Sequence, residues 1–434
     1  MTTPPHVLSP AQALDRARKD FADRNVESAK LHQSALTVMP GGNTRSLFFQ
    51  VPFPLSFVSG HDSVLVDADG HEYVDLLGDY TAGLAGHSDP RAKDAAFGAL
   101  SVNMSVGGIH PTEQALARLM CERWHLDLVR FTNSGSEANL MAITGARMHT
   151  GRTHVMTMYG GYHGGLMYFG NGPAAWNAPY PTVVGRFNDL EYCTEVLRAH
   201  ASEIAVLLIE PMLGSAGCIP ATPEFLGGIA SAAREFGVVV QLDEVMTSRL
   251  GPRGLAAELG VHSDLSTFGK YIAGGFSFGA FGGTSEIMSI FDATKRKYVP
   301  HAGTFNNNVT SLAAGVEVLA NVYPASVAVA FTARGDDLRA NVAAVLRSAG
   351  VPFSVSGFGT MMALHARAVA PANGEEAADR DLILQELLFH GLLQRGFYIA
   401  PRGSLNLSLP VTDDQLSHFL EALRESCCDI AALL

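Results

Sequence analysis

The stretch VRFTNSGSEANLMAITGARMH (129–149) decides the reading of the fold. VRFTN (129–133) is a short apolar strand that runs directly into SGSEANLMAITGARMH, a helix with Ser and Gly at its start and small or apolar residues along one face. Downstream the same alternation recurs. HVMTMY (154–159), AVLLIEP (205–211), VVVQLDE (238–244) and LSTFGK (265–270) read as further strands separated by helical stretches. Apolar β-rich runs alternating with helices imply a mostly parallel sheet covered on both faces. Ligands of such a sheet bind at the C-terminal ends of its strands.

Outward from this centre the pattern changes. AQALDRARKDFADRN near the start reads as an amphipathic helix, MPGGNTRS (39–46) as a turn-rich loop, and VLV (64–66), DADG and YVDL (73–76) as a hairpin. After about 320 the chain offers the helix DDLRANVAAVLRSAG with a Gly stop, strands in PFSVSGFGTMMALHA and FYIAPRGSLNLSLP, and a final helix. This is an α+β module. The stretch 366–379 (ARAVAPANGEEAAD) reads as a surface loop.

Composition narrows the function. The 434 residues carry 30 basic and 42 acidic side chains, a formal charge of −12, with 47% hydrophobic residues. A net acidic chain without a basic run is a poor nucleic-acid binder. No run approaches the ~18 apolar residues of a membrane span. The opening MTTPPHVLSP has neither the basic region nor the apolar core of a secretory signal. Five cysteines without CxxC spacing argue against disulfides and against a zinc site. The expectation is a cytoplasmic protein without a metal.

Five of the six lysines sit in polar or charged surroundings, and Lys270 alone lies in an apolar, glycine-rich one, TFGKYIAGGFSFGAFGG. Desolvation disfavours the ammonium and makes the amine a better nucleophile. The alternative is a snorkelling lysine at a strand end. Ser134, Gly135 and Ser136 fall at a helix N-terminus, where free N–H groups favour a phosphate, though an ordinary N-cap has the same form. Asp243 ends the VVVQL run; a carboxylate there needs a positive partner or is a satisfied loop cap. GGYHGG (160–165) lets backbone approach a ligand and offers Tyr162 and His163 as flat faces, while HAGTFNNNV (301–309) offers donors to a phosphate; either could be a plain turn. Together these elements describe a phosphate cup, a stacking ring, a carboxylate for a ring nitrogen, and a desolvated lysine 27 positions after that carboxylate. Pyridoxal 5'-phosphate needs this set.

With NSGSEAN, YGGYHGG, IEPM, LDEVMTSR, TFGKYIAGG and GTFNNN on the page, the chain resembles class III (ω-type) aminotransferases of the pyridoxal-phosphate fold type I along nearly its whole length. MPGGNTRS, PFPL and APRGSLNLSLP look most like (S)-selective β-phenylalanine aminotransferases; glutamate-1-semialdehyde aminomutases are the next group. The resemblance implies an α/β large domain (66–320) with a mostly parallel seven-stranded sheet. It also implies a smaller α+β domain from the chain ends (1–65 and 321–434). Lys270 would carry the cofactor as a Schiff base and shuttle the substrate proton. Asp243 would pair with the pyridinium, Tyr162 and Val245 would take the two ring faces, and Ser134, Gly135 and Ser136 would hold the phosphate. Thr304 would reach that phosphate from a second subunit, which implies a homodimer, and Glu210 would stand near Asp243. Arg45 would hold the carboxylate of a β-amino acid and Arg402 that of the keto acid acceptor, 2-oxoglutarate or pyruvate. Phe48, Phe49 and Phe53 could form an aryl pocket or belong to the core. The implied reaction is ping-pong transamination. An aminomutase acting within one substrate and a non-catalytic cofactor-binding protein are the rival readings.

Overall fold

A computed structural model describes residues 8–434. Residues 1–7, which open the stretch read as lacking a secretory signal, lie outside the described residues. Three short strands come first, β1 (Phe57–His61), β2 (Val64–Asp67) and β3 (Glu72–Asp75). The centre supplies β4 (Leu128–Thr132), β5 (His154–Met158), β6 (Thr182–Gly185), β7 (Ile204–Ile209), the ribbon β8 (Met212–Leu213) with β9 (Ile219–Pro220), β10 (Val239–Asp243), β11 (Leu265–Gly269) and β12 (Gly279–Gly283). The last third adds β13 (Ser354–Phe358), β14 (Met361–His365), β15 (Phe397–Tyr398) and β16 (Ser404–Asn406).

The large sheet has seven strands in the order β4-β12-β11-β10-β7-β5-β6. All neighbours run parallel except β12, which is antiparallel to both β11 and β4. Every residue of β7, β10 and β11 is buried, as expected of strands covered on both faces. One cover is the helix Gly135–Thr150, whose Ala138, Ala142 and Ala146 recur every four residues and pack on Val155, Val206, Leu208 and Phe281. The other includes the helices Leu190–Ala199 and Pro223–Glu235, which bury Leu197, Phe225 and Ile229.

The GAFGG segment, quoted above only as a glycine-rich setting for the lysine, is the antiparallel strand β12. Glycine is depleted in strands. Here it is required by close approach: a Cβ at Gly279 would lie 2.1 Å from the Ser134 carbonyl oxygen, and one at Gly283 2.1 Å from that of Asp264. The strand pressed against the start of the Gly135 helix therefore has no side chain to push it away.

The hairpin forms as expected, and β15 adds to it in parallel beside β3, so the sheet β1-β2-β3-β15 joins the two ends of the chain. The N-terminal helix Pro10–Arg24 is anchored to the C-terminal module. Arg18 Nε and Nη2 meet the two carboxylate oxygens of Glu386 at 2.6 and 2.7 Å, and Phe21 packs on Phe53 and His390. Phe53 is thus core rather than pocket wall. Within 366–379, read as a surface loop, the structure instead builds a short helix, Gly374–Ala378, pressed against the turn at Gly160; a Cβ on Gly374 would come within 2.8 Å of the Gly160 Cα. Among the described residues no single helix is long and apolar enough to cross a membrane.

Candidate active site

Strands β4, β5, β7, β10 and β11 end on one edge of the large sheet, and the residues that follow them line a cleft of about 320 Å³. Its walls include Ser134, Gly135, Ser136, Tyr162, Glu210, Asp243, Val245 and Lys270, brought together from 137 positions of chain. Ser134 caps the helix by accepting from the Glu137 amide at 3.2 Å, which leaves the earlier amides of this turn for a ligand. Gly164 has φ +111°, and a Cβ there would stand 2.1 Å from Ser136 Oγ. Only glycine lets the GGYHGG turn close over this cradle.

Asp243 is buried. Its Oδ2 accepts from Asn139 Nδ2 at 2.8 Å and lies 2.8 Å from His163 Nδ1, and its Oδ1 accepts from the Val245 amide at 3.0 Å. Asn139 is in turn held by Gln241 and Thr267, both donating to its Oδ1, and His163 Nε2 reaches Thr157 Oγ1. The expectation of a flat His163 face for stacking is corrected. The ring is 2% exposed and supports the carboxylate edge-on, because residues 80 positions apart in sequence meet there. Asn139 was not singled out from sequence. Its position one helical turn after Ser136 was the available signal, since that places it on the face turned to the sheet.

Glu210 accepts from the Tyr162 and Gly214 amides, both at 2.9 Å. Burial, with Asp243 nearby, pushes its carboxyl up to about 7 despite the opposing influence of His163. Glu244, the neighbour of Asp243, is likewise pushed up to about 7 by burial, against hydrogen bonds from Thr247 Oγ1 and the Ala256 amide. A raised carboxyl stabilises the fold fully only below its unfolded value of about 4.3. As pH rises toward 7 the unfolded chain ionises first and stability falls by a few kcal/mol, on the order of 2–3. Glu244→Gln should therefore make the thermal midpoint fall less between pH 5 and 8 than it does in the wild type. An unchanged decline would refute the assignment.

Lys270 follows β11 with φ +55°, a conformation that costs a residue with a Cβ about 1–2 kcal/mol. Its Nζ donates to the Tyr80 carbonyl at 2.7 Å. Burial pulls the amine down to about 8, with Asp79 and Asp243 pulling the other way and Arg45 and Arg402 reinforcing the fall. The two arginines flank the same tyrosine. The Arg45 guanidinium lies 5.3 Å and that of Arg402 5.5 Å from the Tyr80 ring. Arg45 also stacks on Phe48 at 4.4 Å and pairs with Asp79. Arg402 Nη1 donates to Ser215 Oγ at 3.5 Å, and among the described residues it makes no salt bridge and its buried Nε finds no partner. Phe48 shares this region, while Phe49 is 60% exposed.

Three expected site residues are not part of the cleft wall: Arg45 and Arg402, which stand beside Tyr80, and Thr304. Thr304 is exposed, in a loop whose Asn306 accepts from Asn133 Nδ2 at 3.0 Å, next to the cradle.

A lysine amine, a buried carboxylate and a helix-start cradle meeting at the C-terminal edge of this sheet invite comparison with known proteins. The family model for class-III aminotransferases matches residues 50–426. The chain belongs to the class-III aminotransferases. It is a pyridoxal 5'-phosphate-dependent aminotransferase. It is 43% identical over 413 residues to a β-phenylalanine transaminase of Variovorax paradoxus, covering 95% of each chain. A solved β-phenylalanine aminotransferase structure from Variovorax paradoxus superposes with a TM-score of 0.94 at 42% identity, over 96% of this chain and 97% of that one. A glutamate-1-semialdehyde 2,1-aminomutase of Methanothermobacter thermautotrophicus is 32% identical over 390 residues, 87% of this chain and 92% of that one. The residues of the cleft suit the cofactor. The donor set is an amide cradle that a Cβ at residue 164 would fill, a buried carboxylate held by Asn139, His163 and the Val245 amide, and an amine that burial pulls down to about 8.

Proposed function

We propose that this enzyme transfers the amino group of a β-amino acid with an aryl side chain, such as β-phenylalanine, to 2-oxoglutarate or pyruvate by a ping-pong mechanism, as a cytoplasmic homodimer. The observation that carries the reading is the placement of both guanidinium groups around Tyr80, whose carbonyl takes the Lys270 amine. Two carboxylate forks beside one nucleophilic amine suit two successive carboxylate substrates.

Bound pyridoxal phosphate supplies an electron sink for charge developing at the substrate carbon and carries the amino group between the half-reactions. The chain does the rest. Ser134, Gly135 and Ser136 hold the phosphate. Tyr162 and Val245, on the cleft wall, would hold the ring, and Asp243, braced by Asn139 and His163, would keep a proton on its nitrogen. Lys270 moves the proton at the amine-bearing carbon, a task that burial favours by pulling its amine down from the ordinary lysine range. Arg45 orients the donor carboxylate and Arg402 that of the acceptor. Thr304 reaches the phosphate of a second subunit, and Glu210 braces the backbone under Tyr162.

Amino transfer from β-phenylalanine to 2-oxoglutarate or pyruvate, with chiral analysis of the remaining donor, tests the reaction. Consumption of the S enantiomer with stoichiometric amino acid product is the expected result. Activity confined to an amino aldehyde would favour the aminomutase reading, against which the presence of Arg402 as a second carboxylate clamp speaks. Arg45→Ala should raise the donor KM by about 10- to 100-fold with the acceptor KM little changed, and Arg402→Ala the reverse. A donor KM untouched by Arg45→Ala would remove that residue from the proposal.

A further inference from the structure

The segment Gly78–Thr81 is a left-handed turn made mostly without glycine. Residues 79, 80 and 81 have φ of +42°, +51° and +79°, after Gly78 at +56°. Consecutive side-chain-bearing residues in this region are strained and persist where the surroundings over-determine them. Here the turn delivers three contacts. The Tyr80 carbonyl accepts from Lys270 Nζ, the Tyr80 ring lies beneath both guanidinium groups, and Asp79 Oδ1 sits 2.9 Å from Arg45 Nη1. Nothing in the activity requires the third contact; a carboxylate on Arg45 occupies the very fork that a donor carboxylate needs.

We propose that Asp79 is an internal counter-ion that holds Arg45 until the donor carboxylate replaces it, and so sets donor affinity without taking part in the chemistry. This rests on the reading of Arg45 as the donor clamp. The pair uses a single nitrogen of the guanidinium, leaving the rest of the fork free to begin the exchange. Its side chains are 41% and 52% exposed, so parting them strands no buried charge. Arg45 stays in place when Asp79 leaves, because its plane is stacked on Phe48 at 4.4 Å. The displaced carboxylate has somewhere to go. Asp79 lines the Lys270 cleft and also a neighbouring cavity of about 480 Å³, bordered by Asn43, Phe48, Leu77 and Tyr398. It is the one residue common to both linings. A half-exposed pair is weak, so a bidentate donor wins the exchange at a modest cost in affinity.

The test uses cofactor-loaded enzyme and 3-phenylpropanoate, which has the carboxylate and aryl group of the donor but no amine. Its dissociation constant is measured for wild type, Asp79→Asn, Asp79→Glu, Arg45→Ala and the Asp79→Asn/Arg45→Ala double variant. Asp79→Asn should bind it about three- to fivefold more tightly at low salt, with the advantage shrinking at about 0.5 M salt. Asp79→Glu should return to wild type, and the gain should vanish in the Arg45→Ala background. The donor KM should fall in Asp79→Asn while the acceptor KM, which depends on Arg402, stays. Weaker or unchanged binding by Asp79→Asn, or equal changes in both KM values, would overturn the counter-ion while leaving the clamp intact, provided Arg45→Ala alone weakens binding. Binding indifferent to Arg45→Ala would instead bring down the clamp reading and the counter-ion with it.

Discussion

Lys270→Ala is expected to lower turnover by about 10⁴-fold or more, because the proposal gives this amine both the capture of the cofactor and the movement of the substrate proton. The variant should keep its fold and still bind pyridoxal phosphate through the proposed cradle at Ser134–Ser136, because the cradle is built from the helix start and the closed glycine turn. It lacks the visible absorption band of lysine-bound cofactor. Two measurements check this: the spectrum of the reconstituted variant, and a single-turnover assay with added primary amine. Normal turnover would sink the assignment. The same geometry sets a pH dependence. In the cofactor-free chain the amine is held at about 8 by burial, opposed by Asp79 and Asp243 and assisted by Arg45 and Arg402. The reactive neutral form gains as pH rises, so the rate of covalent cofactor capture climbs from pH 7 and levels above about 8. A rate still climbing tenfold per unit beyond pH 9 would mean an amine with an ordinary lysine pKa.

Asp243→Asn lowers turnover by about 10²- to 10³-fold, the scale seen when one preorganised electrostatic partner is removed from a reacting centre. The side chains are nearly isosteric, so the loss reports charge rather than packing. Asn139 Nδ2 and His163 Nδ1 stay within reach of the new amide, and one of the two must rearrange to meet its N–H₂ group. Cofactor occupancy and thermal midpoint are measured alongside; turnover within a few-fold of wild type would show that the ring nitrogen does not rely on this carboxylate. Asn139→Ala should cost less, about tenfold, because the backbone amide of Val245 and the His163 ring still hold the carboxylate.

Five strands of the large sheet were legible from their apolar runs, and two were not. β6 is only four residues long, and β12 is written in glycine, where a pattern of side chains has nothing to show. The candidate site was legible to the level of residue type, because its parts are local: a strand end, a turn and a helix start occur within a few residues of one another. The left-handed turn at Asp79–Thr81 was not, since after Gly78 the text DYT carries no turn residue that demands positive φ; packing around Lys270 and the arginines imposes it. His163 was noticed and misdirected for the same reason.

Residue order alone therefore determined the class of fold, since strand and helix periodicity and capping chemistry act over one or two turns of chain, and its motifs, by resemblance, pointed to the cofactor and to candidate residues for it. Only the tertiary structure decided which way those side chains face and what they touch. Lys270 meets the Tyr80 carbonyl across 190 positions and His163 meets Asp243 across 80. Such encounters come from how the sheet edge and the chain ends pack together, and no local rule specifies them.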